Sequence, residues 1–154
     1  MARFVFQLEG VLRHRERVEK DRMRELALAQ AEMARLEGEL NALNLEVRQS
    51  TTEVRDHHLV GRLDMSYLAA HRRYMLGMQR KTLALAQKMA VQQRQVDDSR
   101  KALLEAARQR KILEKLRERQ QQRWATSQAL HEAQALDELT TQLSYYKLTS
   151  EGAP

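Results

Sequence analysis

The chain has 154 residues and a formal net charge of +6, and 31% of its residues are charged. Two Phe and one Trp are too few large side chains for the thick core of a compact globule, whereas a two-helix seam needs only about two apolar residues per heptad. The absence of cysteine excludes disulfides and thiolate metal sites.

The N-terminal stretch from Met1 to Phe6 lacks the apolar core and the small-residue cleavage site of a secretory signal. No later apolar run approaches the roughly 18 residues that are needed to span a bilayer. We therefore expect a soluble, cytoplasmic protein.

The first predicted element is a helix over residues 7–57. Its apolar spacing starts at Leu8, Val11 and Val18, drifts in register as far as Ala29, and then becomes regular. The regular part alternates steps of four and three: Ala29, Met33, Leu36, Leu40, Leu43, Val47, Ser50, Val54. This alternation is the heptad pattern of a coiled-coil seam.

A bend is predicted over residues 58–64, because no apolar period runs through this segment and it contains Gly61. Asp64 or Ser66 is expected to cap the next helix, since a short side-chain oxygen can accept hydrogen bonds from its free amides.

The second predicted helix covers residues 65–146, and residues 147–154 are expected to fray. Its seam also steps by threes and fours: Tyr67, Ala70, Tyr74, Met78, Lys81, Leu85, Met89, Gln92, Val96, Ser99, Leu103, Ala106. The predicted fold is all-α, a single domain of two long helices in an antiparallel coiled-coil hairpin. Residue 9 then lies opposite residue 112, and the second helix overshoots its partner by about 30 residues, on the order of 50 Å.

Charge is distributed unevenly along the chain. Residues 25–56 hold three basic and seven acidic residues, whereas residues 100–123 hold nine basic and three acidic ones. The basic run is either a solvated helix face with local ion pairs or a surface for an acidic protein, and its concentration in one segment favours the surface. Nucleic acid fits less well, because Glu105, Glu114 and Glu118 would repel phosphates and few aromatic residues are available for stacking.

The sequence predicts no catalytic residue, no cofactor and no metal site. His57 and His58 are adjacent, so on a helix they point apart and do not form a ligand pair. There is no phosphate-binding loop, nucleophile elbow or His-Glu-x-x-His motif, and a two-helix rod lacks the concave pocket that catalysis needs.

Large apolar and aromatic residues lie at both ends of the predicted hairpin. Tyr67, Tyr74 and Met78 follow the bend and either pack in the seam or form an exposed patch for a partner. Phe4 and Phe6 either cover the open end against the second helix or anchor a partner. The overshoot, which contains Trp124, is expected to dock on another molecule, because a long unpaired helix is not stable on propensity alone.

The N-terminal stretch FVFQLEGVLRHRE, residues 4–16, resembles the start of the flagellar export protein FliJ family. Residues 110–119, RKILEKLRER, are similar to that family's second recurring segment. The length, the bend near residue 60 and the longer second helix match as well, so the resemblance covers nearly the whole chain.

This resemblance implies a non-enzymatic stalk protein of the flagellar type III export apparatus, located in the cytoplasm at the inner face of the membrane. Its implied partners are the centre of the hexameric export ATPase, the cytoplasmic domain of the export gate and export chaperones. The residues expected to contact the ATPase are Phe4, Phe6, Arg108, Arg110, Lys111, Lys115, Arg117, Arg119 and Trp124. By position the gate contact falls at Tyr74, Met78, Lys81 and Leu85, where family members can carry Phe, Leu, Ala and His.

Other hypotheses stay open at this point. The chain could be the related stalk protein of a virulence-type secretion system, a general scaffold that dimerises through the overshoot, or a nucleic-acid binder. A parallel homodimer kinked at Gly61 also satisfies the heptads, because a heptad pattern does not fix helix orientation.

Overall fold

The computed structural model describes residues 3–150, apart from the side chains of His58 and of residues 148–150. It contains two long α-helices, α1 from Glu9 to Glu53 and α2 from Met65 to Ser150, and residues 3–150 include no β-strand. α2 has 86 residues and α1 has 45. The all-α prediction with a longer second helix is confirmed. Residues 151–154 of the predicted tail lie outside the described residues.

The chain reverses direction between the two helices. A π-helical turn, Val54–His58, follows α1, and Gly61 adopts a φ of 89°, a left-handed conformation that favours glycine. Asp64 caps α2, because its Oδ1 accepts hydrogen bonds from the amides of Ser66 at 2.9 Å and Tyr67 at 3.2 Å. Of the two residues expected to cap the helix, Asp64 is therefore the one that does so.

The chain divides into two compact units. The hairpin unit is Val18–Ala106, and the terminal unit combines Met1–Arg17 with Ala107–Pro154.

Within the hairpin unit, cross-helix contacts establish the antiparallel pairing. The Ser50 hydroxyl lies 3.3 Å from Nδ1 of His71, and the Gln92 side-chain amide donates to the Ala29 carbonyl at 2.9 Å. These two contacts are 21 residues apart on both helices, which is three heptads, so one register holds between them. The predicted antiparallel hairpin is confirmed for this unit.

The seam of the hairpin unit buries only apolar side chains among the described residues. On the α1 side these are Ala29, Leu36 and Val54, and on the α2 side they are Met78, Leu85, Val96 and Ala106. All seven belong to the predicted seams, because a strict alternation of threes and fours leaves little freedom in choosing the inward face.

The first turns of α2 depart from the predicted seam. Ala70, Tyr74 and Lys81 are exposed, and the half-buried positions are His71, Met75 and Thr82 instead. Polar side chains are tolerated in a seam where they are hydrogen-bonded. His71 meets Ser50, and the Thr82 hydroxyl donates to the Met78 carbonyl at 3.0 Å. The prediction that Ala70, Tyr74 and Lys81 belong to the seam was therefore wrong.

In the terminal unit, Phe6 and Leu12 are buried, whereas Leu8 and Val11, the predicted seam residues, are exposed. Residues 3–6 are not helical and α1 begins only at Glu9. A heptad pattern that is extended back to residue 8 therefore does not predict which side chains are buried here. On α2, the half-buried apolar residues of this unit include Leu113, Leu116 and Trp124, and every residue from 129 to 147 is exposed.

Candidate partner-binding surfaces

Four basic side chains form a row on α2 within the terminal unit. Arg108, Lys111, Lys115 and Arg119 are separated by steps of three, four and four, which places them on one helical face. All four are exposed, and none makes an ion pair or hydrogen bond within the described part of the chain. We call these four residues the basic row. Their charges are available to a partner without breaking any internal contact.

The other two basic candidates are engaged inside the unit. Arg110 is paired with Glu114 one turn later, and Nη1 of Arg117 lies 3.6 Å from Oε2 of Glu9 on α1. The predicted register places residue 9 opposite residue 112. Arg117 lies five residues further along α2 than that position. Helical side chains lean toward the N-terminus of their own helix, so in an antiparallel pair two long side chains reach across this offset.

Two of the three aromatic candidates meet each other, and the third is buried. The rings of Phe4 and Trp124 have centroids 6.1 Å apart and an interplanar angle of 51°, and Phe6 is only 5% exposed. Of the two roles considered for Phe4 and Phe6, the structure places them against the protein itself. Phe4 and Trp124 are half-buried and so remain partly accessible to a partner in this conformation, whereas Phe6 does not.

The gate candidates divide into exposed and buried side chains. Met78 is 2% and Leu85 is 7% exposed, so both belong to the seam of the hairpin unit. Tyr74, at 39% exposure, and Lys81 face outward. Of these four side chains, Tyr74 and Lys81 are therefore accessible from solvent, whereas Met78 and Leu85 pack between the two helices.

Glu46 on α1 fixes the position of Tyr74. The Tyr74 hydroxyl donates to Oε1 of Glu46 at 2.6 Å, and the Tyr74 ring lies 6.3 Å from that of His71. The hydrogen bond to the Glu46 carboxylate raises the pKa of Tyr74, with desolvation and the nearby negative charge acting in the same direction. Sequence reasoning missed Glu46, because its partner is 28 residues away and belongs to the other helix.

A groove of about 420 Å³ opens beside Lys81, between α1 and α2 of the hairpin unit. Ala42 and Ala84 contribute small side chains to its wall, and Glu46, Lys81 and Lys88 line it as well. Lys81 and Lys88 are seven residues apart, the spacing of one flanking heptad position. That spacing is the sequence signal that could have extended the predicted gate surface along α2 to Lys88.

The described residues contain no group of three or more His, Asp or Glu side chains placed to hold a metal ion. Within the same residues, no helix is apolar over a sufficient length to cross a bilayer.

A family profile described as Flagellar FliJ protein matches residues 4–148. The chain belongs to the FliJ family. The matched range includes the whole of the basic row, the Phe4–Trp124 contact and the groove beside Lys81. No curated protein and no solved structure matches the chain.

Membership in the FliJ family makes the chain a component of the flagellar export apparatus, in a family without a catalytic role. The family is flagellar, which favours this system over the virulence-type alternative. The resemblance carried by residues 4–16 and 110–119 is thereby confirmed over nearly the full length.

Proposed function

We propose that this FliJ-family chain is a non-enzymatic coupling protein that binds the centre of the hexameric export ATPase through its terminal unit. The observation that carries the proposal is the basic row. Four exposed cationic side chains without internal partners are a costly concentration of like charge, and an acidic partner would relieve it.

The dimensions of a helix pair suit a site inside a ring. Two helices side by side are about 20 Å wide, so they form a thin element that a central opening can accept. Electrostatic attraction between the basic row and an acidic surface would set the rate of association and the rotational register. Because the row follows one face of α2, it would contact one side of the opening at a time.

The proposal places a second contact, with the cytoplasmic domain of the export gate, on the hairpin unit. Tyr74 and Lys81 are its exposed residues, and Met78 and Leu85 support them from the seam. The two contacts involve different units of the chain, so one molecule has separate surfaces for the ATPase and the gate. The protein would then work in the cytoplasm, at the inner face of the membrane, with export chaperones as further partners and no cofactor.

The ATPase contact is tested by reversing the basic row. Changing Arg108, Lys111, Lys115 and Arg119 to Glu should abolish binding to the purified export ATPase ring, with helicity by circular dichroism unchanged. The matched control reverses four exposed arginines of the hairpin unit, Arg72, Arg80, Arg94 and Arg100, which changes the net charge equally. If the control loses as much affinity as the row variant, the row has no specific role.

The gate contact is tested by single substitutions at the exposed positions. Tyr74→Ala and Lys81→Glu should each weaken binding to the isolated cytoplasmic domain of the gate while binding to the ATPase ring is retained. Leu83→Ala is the control, because Leu83 is 63% exposed on the same stretch of α2 and belongs to neither surface. Equal affinities for all three variants would remove Tyr74 and Lys81 from the interface.

A further inference from the structure

A cavity of about 390 Å³ lies in the terminal unit, between the N-terminal segment, the first turns of α1 and one turn of α2. Its charged lining consists of Arg3, Arg13 and Arg117 with a single carboxylate, Glu9. Phe4 and Val5 line it with apolar surface. Three arginines therefore line a space that also offers apolar contact.

The single carboxylate does not satisfy the hydrogen-bond donors of these arginines. Glu9 places Oε1 3.6 Å from Nε of Arg13 and Oε2 3.6 Å from Nη1 of Arg117. Both distances describe ion pairs that are too long for hydrogen bonds, so the N–H donors of these guanidinium groups have no carboxylate oxygen at bonding distance. Arg3 makes no ion pair or hydrogen bond within the described part of the chain.

The guanidinium group binds carboxylates with two parallel N–H donors, and such charge-assisted hydrogen bonds are stronger than those between neutral groups. Three cationic side chains surround one anionic side chain, so positive charge and N–H donors remain for a second carboxylate. On the apolar side of the cavity, Phe4 is held in place because it packs against Trp124. Val5 is 76% exposed and offers apolar surface to a partner. The lining therefore suits an acidic side chain that has an apolar residue beside it.

We propose that this cavity binds an Asp or Glu side chain, with a neighbouring apolar residue, from the export ATPase ring. The inference rests on the proposed ATPase contact and adds a second site to it on the opposite face of α2, because Arg117 lies nine residues, about two and a half helical turns, after Arg108. In this arrangement Glu9 acts as an internal competitor, because it pairs with Arg13 and Arg117 and an incoming carboxylate must share them.

The test compares two triple variants of the full-length chain in binding to the export ATPase ring. The cavity variant carries Arg3→Gln, Arg13→Gln and Arg117→Gln, and the control carries Arg108→Gln, Lys111→Gln and Lys115→Gln from the basic row. Both remove three positive charges. The cavity variant should lose at least about tenfold more affinity than the control, because it removes directed hydrogen bonds to a charged group as well as charge.

Glu9→Gln provides a second readout, with the opposite sign. Removing the internal competitor should tighten binding about threefold, the scale of an exposed ion pair, whereas a purely structural role of Glu9 predicts weaker binding. Weaker binding of Glu9→Gln overturns the inference.

If the two triple variants lose affinity equally, or only the control loses affinity, the proposed role of the cavity is wrong. The basic row then remains as the ATPase contact. If neither triple variant loses affinity, the cavity and the proposed ATPase contact both fail. Circular dichroism of each variant verifies that the helices are intact, and Glu9→Gln keeps the inference testable if the cavity variant does not fold.

Discussion

Phe4 and Trp124 pack ring against ring at a centroid distance of 6.1 Å, although 120 positions separate them in the chain. This contact joins a non-helical N-terminal segment to α2 within the terminal unit. It also supports the arginine-lined cavity, of which Phe4 forms part of the wall. The N-terminal residues are therefore a structural part of the surface proposed to meet the ATPase.

The aromatic contact should contribute measurably to stability. In a double-mutant cycle of Phe4→Ala and Trp124→Ala, we expect a coupling free energy of about 0.5–1.5 kcal/mol beyond the loss of buried area. Urea denaturation followed by circular dichroism measures it without depending on Trp124 fluorescence. Val5→Ala is the control and should change the free energy of unfolding by less than about 0.5 kcal/mol, because Val5 is largely exposed. Strict additivity of the two alanine substitutions would show that the rings do not interact.

The two most deeply buried side chains should dominate the stability of their units. Leu12 and Met78 are each 2% exposed, and alanine at either position should lower the free energy of unfolding by about 2–3 kcal/mol through lost burial and the cavity left behind. Leu28→Ala, at a position that is 73% exposed on α1, should have an effect below about 0.5 kcal/mol. A large effect of Leu28→Ala with a small one of Met78→Ala would mean that another face of the helices is buried.

Glycines in the helices and in the turn should respond in opposite ways to alanine. Gly38 lies within α1 with open space around it, so Gly38→Ala should stabilise the chain by about 0.5–1 kcal/mol through helix propensity. A Cβ at Gly61 also meets nothing within 4 Å, but its φ of 89° makes Gly61→Ala destabilising by about 1 kcal/mol. Thermal unfolding midpoints measure both changes. Stabilisation by Gly61→Ala would show that the turn has another backbone conformation.

The hydrogen bond between Tyr74 and Glu46 gives a prediction for pH dependence. The bond raises the pKa of Tyr74, so its contribution to stability is present at lower pH and is lost as the pH rises through that raised pKa. Glu46→Gln should lower the pKa of Tyr74, because it removes both the charged acceptor and the nearby negative charge. The phenolate absorbance of each form, with its Tyr74→Phe counterpart subtracted, reports this pKa. An unchanged pKa would mean that the hydrogen bond is absent in solution.

The hairpin register was predictable where apolar residues alone define the seam. Ala29, Leu36, Val96 and Ala106 are buried as the heptads indicate, because only one face of each helix satisfies the pattern. The apolar pattern did not predict His71 as a seam residue. A hydrogen bond to Ser50 makes a polar side chain acceptable there, and no local spacing in the sequence indicates that bond.

The candidate surfaces were predictable only in part. The basic row follows from the spacing of its residues, and the Arg110–Glu114 pair is a four-residue step that the sequence displays. The Glu9–Arg117 pair and the Phe4–Trp124 contact depend on how two distant segments meet, which periodicity does not specify. For the same reason the arginine-lined cavity, which combines residues of three segments, has no signature in the sequence.

Site-specific photo-cross-linking tests the central claim most directly. With a photoreactive amino acid in place of Lys111, in the basic row, illumination in the presence of the export ATPase ring should yield an adduct between this chain and an ATPase subunit. The same residue in place of Arg94, on the exposed surface of the hairpin unit, should yield none. An adduct from position 94 and none from position 111 would contradict the account.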